Sequence, residues 1–187
     1  MADQLTEWAT RVAETELSAA LPRRWAHSLG VAERAVGIRR LLGADAGLLA
    51  AAATLHDVGY APRLAVTGFH PLDGARFLRD GHGADERLVR LVANHSFALL
   101  EAEERGLRDE LASEFPLLKE PLLVDALVHC DMTTTPDGGR TSARERITEI
   151  INRYGADSVV GRFIRRAAPE ILASVRRIEA ALAAQPR

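Results

Sequence analysis

The chain has 187 residues, 47% of them apolar, which suits one domain with a full hydrophobic core. Its 24 basic and 26 acidic side chains leave a formal net charge of −2, a balance that excludes a uniformly basic nucleic-acid-coating protein and an acidic disordered tail. Aromatics are only 5%, so the core must rest on Leu, Ala and Val, and Lys119 is the sole lysine, so the cationic surface is almost all arginine.

The hydrophobic period is helical almost throughout. Residues 4–20 form an amphipathic stretch with Leu5, Trp8, Val12 and Leu17 near 3.6-residue spacing. Pro22 suits a first helical turn, and Trp25, Leu29, Ala32 and Val36 carry that helix to Leu42, where Gly43 stops it. Asp45 reads as the N-cap of a helix from Ala46 to about Val58, closed by Gly59, with residues 59–70 as a loop. Pro71 opens a short helix that Gly81 ends, and the next runs from Ala84 to His95 with Leu88, Leu91 and Val92 inward. Residues 96–105 are helix-like, 106–116 irregular, and Pro121 starts a helix reaching Asp131. Thr133-Thr-Thr-Pro-Asp-Gly-Gly-Arg140 is the clearest loop, followed by helices near 142–154, 157–167 and 169–184, separated by Gly155 and Pro169. No run alternates with period two for long enough to be a strand, so the class is all-α, one compact helical bundle.

Cys130 stands alone, which rules out an intrachain disulfide and a Cys-based zinc cluster. The longest nearly apolar run, residues 47–55, falls short of the ~20 residues that cross a bilayer. The acidic, amphipathic start is unlike a signal peptide, so a cytoplasmic protein without a membrane partner is expected. Nucleic acid is not an expected partner either, because no arginine cluster is free of compensating acids.

The chemistry-bearing residues are ionisable groups on apolar helix faces. Asp131 lies three, four and seven positions after Val128, Leu127 and Val124, and His95 follows the same arithmetic from Leu88, Leu91 and Val92. His56 continues the Leu49 and Ala52 face with Asp57 next to it, and His27 shares a face with Val31 and Ile38. A buried carboxylate without a partner costs several kcal/mol, so Asp57 and Asp131 each need a cation or a shifted pKa. Any one of these residues alone reads as a satisfied core histidine or an aspartate paired with arginine. Together, several helices deliver imidazoles and carboxylates inward, a donor set that suits Fe, Mn, Zn or Ni rather than Ca or Mg.

The order His27, His56-Asp57, Asp131 resembles the ligand signature of the HD-domain superfamily of metal-dependent phosphohydrolases. Arg24-Trp-Ala-His-Ser-Leu-Gly-Val-Ala32 looks like its first-histidine helix, Leu55-His-Asp-Val-Gly59 like its central His-Asp segment, and His129-Cys-Asp131 stands where its final aspartate does. The resemblance puts the HD core at about 22–154, with helical extensions at 1–21 and 155–187. His70 in Gly68-Phe-His-Pro-Leu-Asp-Gly-Ala75 and His95 in Ala93-Asn-His-Ser96 resemble the extra pair of binuclear members. On that footing Asp57 bridges two metals; otherwise the pair contacts phosphate beside a single ion, and two ions are favoured. His82 and His129 are expected to be bystanders, and Cys130 packing.

The resemblance implies one or two divalent transition metals, iron or manganese with zinc or nickel as alternatives, and hydrolysis of a phosphate ester or anhydride in a small nucleotide-like molecule by a metal-activated water. Asp57 and Asp131 are the expected catalytic carboxylates, Asp131 also as a proton acceptor. Many members carry a lysine soon after the His-Asp pair; here Arg63 takes that place, with Arg140 a second candidate for substrate phosphate. Two other readings stay open: an HD-fold di-iron oxygenase acting on a small phosphonate or polyol, and a non-catalytic nucleotide-sensing module. The last helices, with Ile171, Leu172, Val175, Ile178 and Leu182, could pack on the core or on a second copy as a homodimer.

Overall fold

The computed structural model describes residues 2–185. Its elements run α1 (Ala2–Leu17), α2 (Pro22–Gly37), α3 (Arg39–Leu42), α4 (Ala46–Leu55), α5 (His70–Arg76), α6 (Glu86–Asn94), α7 (Ala98–Glu104), α8 (Arg108–Glu114), α9 (Pro121–Met132), α10 (Ala143–Tyr154) and α11 (Val159–Ala183). Single helical turns at Val58–Tyr60 and His95–Phe97 join some of them, and no strand occurs among the described residues, so the class is all-α.

Helix α4 is the centre. Every residue from Gly47 to Leu55 is buried, and the alanines at 50–53 let α1, α2, α6 and α9 close around it. The 39–60 stretch is apolar enough to pass for a membrane span by composition, yet 72% of that apolar window is buried inside the fold. Its all-round hydrophobicity is that of a core helix. Helix α9 is buried on two sides: Leu123, Ala126, Leu127 and Cys130 join the core around α4, while Val128 and Met132 join a second core built with Ile147, Ile150, Phe163, Ile164 and Ile171 of α10 and α11. An ionisable side chain at the end of either helix therefore opens inward.

Three local expectations are corrected. Residues 108–114, read as irregular, form α8, whose one buried anchor, Leu111, leaves no period to detect, while Asp109 and Glu110 suit its N-terminal dipole. Helix α11 continues through Pro169 instead of breaking there. Pro169 is on the exposed face, where water can satisfy the carbonyl its missing N–H leaves free, and the buried stripe Ala167, Ile171, Ser174 and Val175 runs past it. Asp45 stands at the N-cap of α4 but spends its carboxylate on Arg87, 2.9 Å away, rather than on helix N–H groups.

Gly59 fixes how the α4 end meets α5. A Cβ there would stand 2.0 Å from the His70 carbonyl oxygen and 2.5 Å from the Gly74 nitrogen, so only glycine lets the two backbones touch. Gly59→Ala should therefore lower stability by ~3 kcal/mol or more through forced separation of α5. Gly37→Ala, whose Cβ would meet nothing within 4 Å, should be neutral or gain up to ~1 kcal/mol. Urea denaturation midpoints measure both; equal midpoints for the two variants would contradict the packing argument.

Candidate metal centre

The end of α4 delivers His56 and Asp57 to a point that four other segments also reach. His27 comes from the middle of α2, His70 opens α5, His95 begins the turn after α6, and Asp131 lies in the last turn of α9. All are buried except His70, whose side chain is 11% exposed.

Asp57 stands between two groups of imidazoles. Its Oδ2 lies 3.4 Å from His56 Nε2 and 3.9 Å from His27 Nε2, whereas Oδ1 lies 3.3 Å from His70 Nε2 and 3.9 Å from His95 Nε2. Asp131 Oδ1 closes the first group, 3.1 Å from His27 Nε2 and 3.8 Å from His56 Nε2. His70 and His95 meet at 3.2 Å between their Nε2 atoms. Two sets of donor atoms thus share one carboxylate: His27, His56 and Asp57 on one side, and Asp57, His70 and His95 on the other.

Backbone carbonyls set three of the rings. His27 Nδ1 donates to Thr135 O at 2.9 Å, His56 Nδ1 to Ala53 O at 2.8 Å and His95 Nδ1 to Val92 O at 2.6 Å. At His56 and His95 the bond puts the proton on Nδ1 and leaves Nε2 as a lone-pair donor toward the centre, the arrangement found behind metal-ligating histidines, while His27 Nε2 lies against Asp131 Oδ1. The Thr135 carbonyl is in place because Gly30 and Gly138 touch: a Cβ on Gly30 would stand 2.3 Å from Gly138 O. His95 is held by a costly backbone, since Ser96 and Phe97 both adopt left-handed conformations, at φ 48° and 65°. Ser96 uses that turn to donate its hydroxyl to Asp131 Oδ2 at 2.5 Å. Asp73 in α5 steadies the approach to His70 by accepting from the Thr67 and Gly68 backbone N–H groups at 3.0 and 3.1 Å.

Charge follows from burial. Desolvation pushes the His56 imidazole down to about 4 and that of His70 to about 3, so both rings are neutral near pH 7. Burial would raise the Asp57 carboxyl, but His56, Arg24 and His70 outweigh it and hold Asp57 well below the usual carboxylate range. Asp131 is likewise held low against its burial by the His27 hydrogen bond and His56. The neutral His56 and His70 rings, with His27 and His95 beside two ionised carboxylates, form a nitrogen and oxygen donor set that fits a divalent transition metal. His56 Nε2 supports the fit directly, being a buried atom with no hydrogen-bond partner.

Arg63 and Arg140 lie away from the centre. The Arg63 guanidinium is forked onto Glu16, with Nε 2.6 Å from Oε2, and lies over the Phe77 ring, away from the centre. Arg140 is exposed beyond the 133–139 loop and does not line the cavity. The cations that do line it are Arg24, Arg146 and Arg153. Arg24 Nη1 donates to Asp57 Oδ2 at 2.7 Å and its guanidinium covers the Tyr60 ring, which stacks on His70 with centroids 3.8 Å apart. Arg24 precedes His27 by three, one helical face, and Arg146 shares the inward face of Ala143, Ile147 and Ile150, so spacing could have found both. Nothing in the sequence signals the Ser96 turn.

The two other histidines lie elsewhere. His82 is exposed, edge-on to Trp8 and Phe77. His129 is buried on another side of α9, where burial and Arg34 push it down to about 4. Cys130 is a buried core residue, its thiol pushed up by burial.

Against known proteins, a family model described as HD domain matches residues 24–155. A tRNA (cytidine(56)-2'-O)-methyltransferase of Thermoplasma volcanium is 38% identical over 78 residues, which are 42% of this chain and 22% of that protein. The chain therefore spans under a quarter of that relative's length. No solved structure matches.

Metal analysis after gel filtration from Mn2+ should find about two ions per chain in the native protein and about one in His70→Ala. About one ion in both would place His70 and His95 outside metal binding.

Proposed function

This chain belongs to the HD-domain family, and from that premise we propose that it is a metal-dependent phosphohydrolase cleaving a phosphate ester or anhydride of a small molecule. The observation that supports it most is the shared carboxylate: Asp57, buried and ionised, with a pair of imidazoles at each oxygen. His27, His56, Asp57 and Asp131 would hold one divalent ion and Asp57, His70 and His95 a second. Iron or manganese at these positions would supply Lewis acidity and bring a water's pKa toward neutrality.

The chain's own residues do the rest. Arg146 is 5% exposed, and its Nε has no hydrogen-bond partner although the side chain lines the cavity. Its Nη1 reaches Glu149 at 2.5 Å, and the same carboxylate holds Arg153 Nε at 3.2 Å. Glu149 thus fixes two guanidinium groups at the mouth, with Arg146 Nε left to donate to a phosphoryl oxygen, a preorganised electrostatic contact. Arg24 is committed to Asp57 and neutralises the carboxylate rather than the substrate. Asp131 Oδ2 accepts from the Ser96 hydroxyl, which orients the carboxylate with Oδ1 toward His27 and the centre.

The cavity in front of the centre is about 80 Å3 and opens to solvent past Arg153 and Tyr154, so substrate would reach the centre beside these residues and Val160. Methyl transfer is not carried over from the tRNA methyltransferase, since the matched segment is 22% of that protein.

Phosphate release from a panel of phosphomonoesters and nucleoside phosphates with Mn2+ tests the reading. Asp57→Asn should abolish turnover and Arg146→Met should lower kcat/KM by roughly a hundredfold, a charge-assisted contact of ~2–3 kcal/mol. Arg63→Ala and Arg140→Ala should leave it unchanged. Full turnover in Asp57→Asn, or no phosphate release across the panel, would overturn the proposal.

A further inference from the structure

The cavity in front of the metal centre contains one acidic side chain that takes no part in the two ion positions. Three carboxylates line this cavity: Asp57, Asp131 and Glu101. The oxygens of Asp57 and Asp131 are engaged with imidazoles, Arg24 and Ser96. Glu101 stands apart from them on α7, one helical turn after Ala98, which lines the same wall. It is 6% exposed, so its carboxylate is held out of bulk water. Arg105, one turn further along α7, satisfies only half of it. Its Nε and Nη2 both donate to Glu101 Oε1, at 2.9 and 2.6 Å, and its guanidinium is steadied over the Phe69 ring. Glu101 Oε2 receives no hydrogen bond among the described residues, and it is not sealed inside the core. An acceptor of this kind calls for a donor from water or from a ligand.

The charge balance decides which donor fits. Arg105 cancels the charge of Glu101, and Arg24 is paired with Asp57. Arg146 and Arg153 share the single carboxylate of Glu149. Outside the ion positions the lining therefore carries no unpaired negative charge that would draw an ammonium group, and a neutral hydroxyl is the matching partner for Oε2. The cavity is polar in two senses: Arg146 on α10 offers a donor to a phosphoryl oxygen, and Glu101 on α7 offers an acceptor. Met132, Ile150 and Phe163 complete the lining with apolar surface for carbon atoms between the two.

We propose that Glu101 is a specificity-determining residue whose Oε2 accepts a hydrogen bond from a hydroxyl on the alcohol part of the substrate, so that the preferred phosphate ester is that of a polyhydroxy alcohol. This rests on the hydrolytic reading, which puts the phosphoryl end of the same molecule at the metal centre. Arg105 is a positioning residue: it fixes one carboxylate oxygen and leaves the other to the ligand.

Calorimetric titration of the full, Mn2+-loaded chain with phosphonates, which have no ester bond to hydrolyse, tests it. Dihydroxypropylphosphonate should bind roughly tenfold or more tighter than propylphosphonate, the ratio expected of one hydrogen bond to a charged acceptor. In Glu101→Met that ratio should fall to about one, through weaker binding of the dihydroxy ligand with propylphosphonate unchanged. A purely structural Glu101 would weaken both ligands alike in the variant, and that result would overturn the proposal. Equal affinities in the native protein would overturn it whether or not the variant folds. So would tighter binding of aminopropylphosphonate than of the dihydroxy ligand, which would make Glu101 an ammonium site. Binding of none of the three phosphonates would contradict the hydrolytic reading itself and take the specificity claim with it.

Discussion

A carboxylate taken out of water must be met by positive charge or by donors, and at Asp57 that requirement organises the molecule. It lies at the end of the most buried helix, where an uncompensated ion would cost several kcal/mol. Arg24 supplies one cation from α2, and imidazoles from α2, α4, α5 and the turn after α6 surround the two oxygens. Four segments far apart in the chain must hold their places for one side chain to remain charged. The packing that brings them together is small-residue packing: the alanines of α4, the Gly59 contact with α5 and the Gly30 contact with Gly138.

The histidines are oriented from behind. Carbonyls at Ala53, Val92 and Thr135 pin three Nδ1 atoms, so their Nε2 atoms have no rotational choice left. At His95 the pinning is combined with two left-handed residues, a local cost of order 1–3 kcal/mol each that the surrounding α6, α7 and α9 packing offsets. Strain of that kind in a buried turn is consistent with a centre whose geometry is set before any ligand arrives.

Much of this was legible in the sequence because helical register is a strong constraint. Once Val128, Leu127 and Val124 define an inward face, Asp131 has to share it, and the same logic places His95. The all-α class followed from the period, and His27, His56, Asp57, His70, His95 and Asp131 do converge. What escaped was set by tertiary contact. Arg63 was chosen for its closeness in sequence to the His-Asp pair, but Glu16, from α1, competes for its guanidinium and wins. Arg146 lies on the inward face of α10, but its place at the cavity depends on how α10 packs against α9 and α11. Pro169 looked like a helix end because local propensity says so, yet a solvent-facing proline and a continuous buried stripe let α11 run on.

The central claim is that Asp57 stands between two ion positions, one at each of its oxygens. Anomalous diffraction from crystals soaked in Mn2+ tests it most directly. The account predicts two peaks flanking the carboxylate, one beside His27, His56 and Asp131 and the other beside His70 and His95. One peak remote from Asp57, or none within its reach at saturating Mn2+, would contradict it.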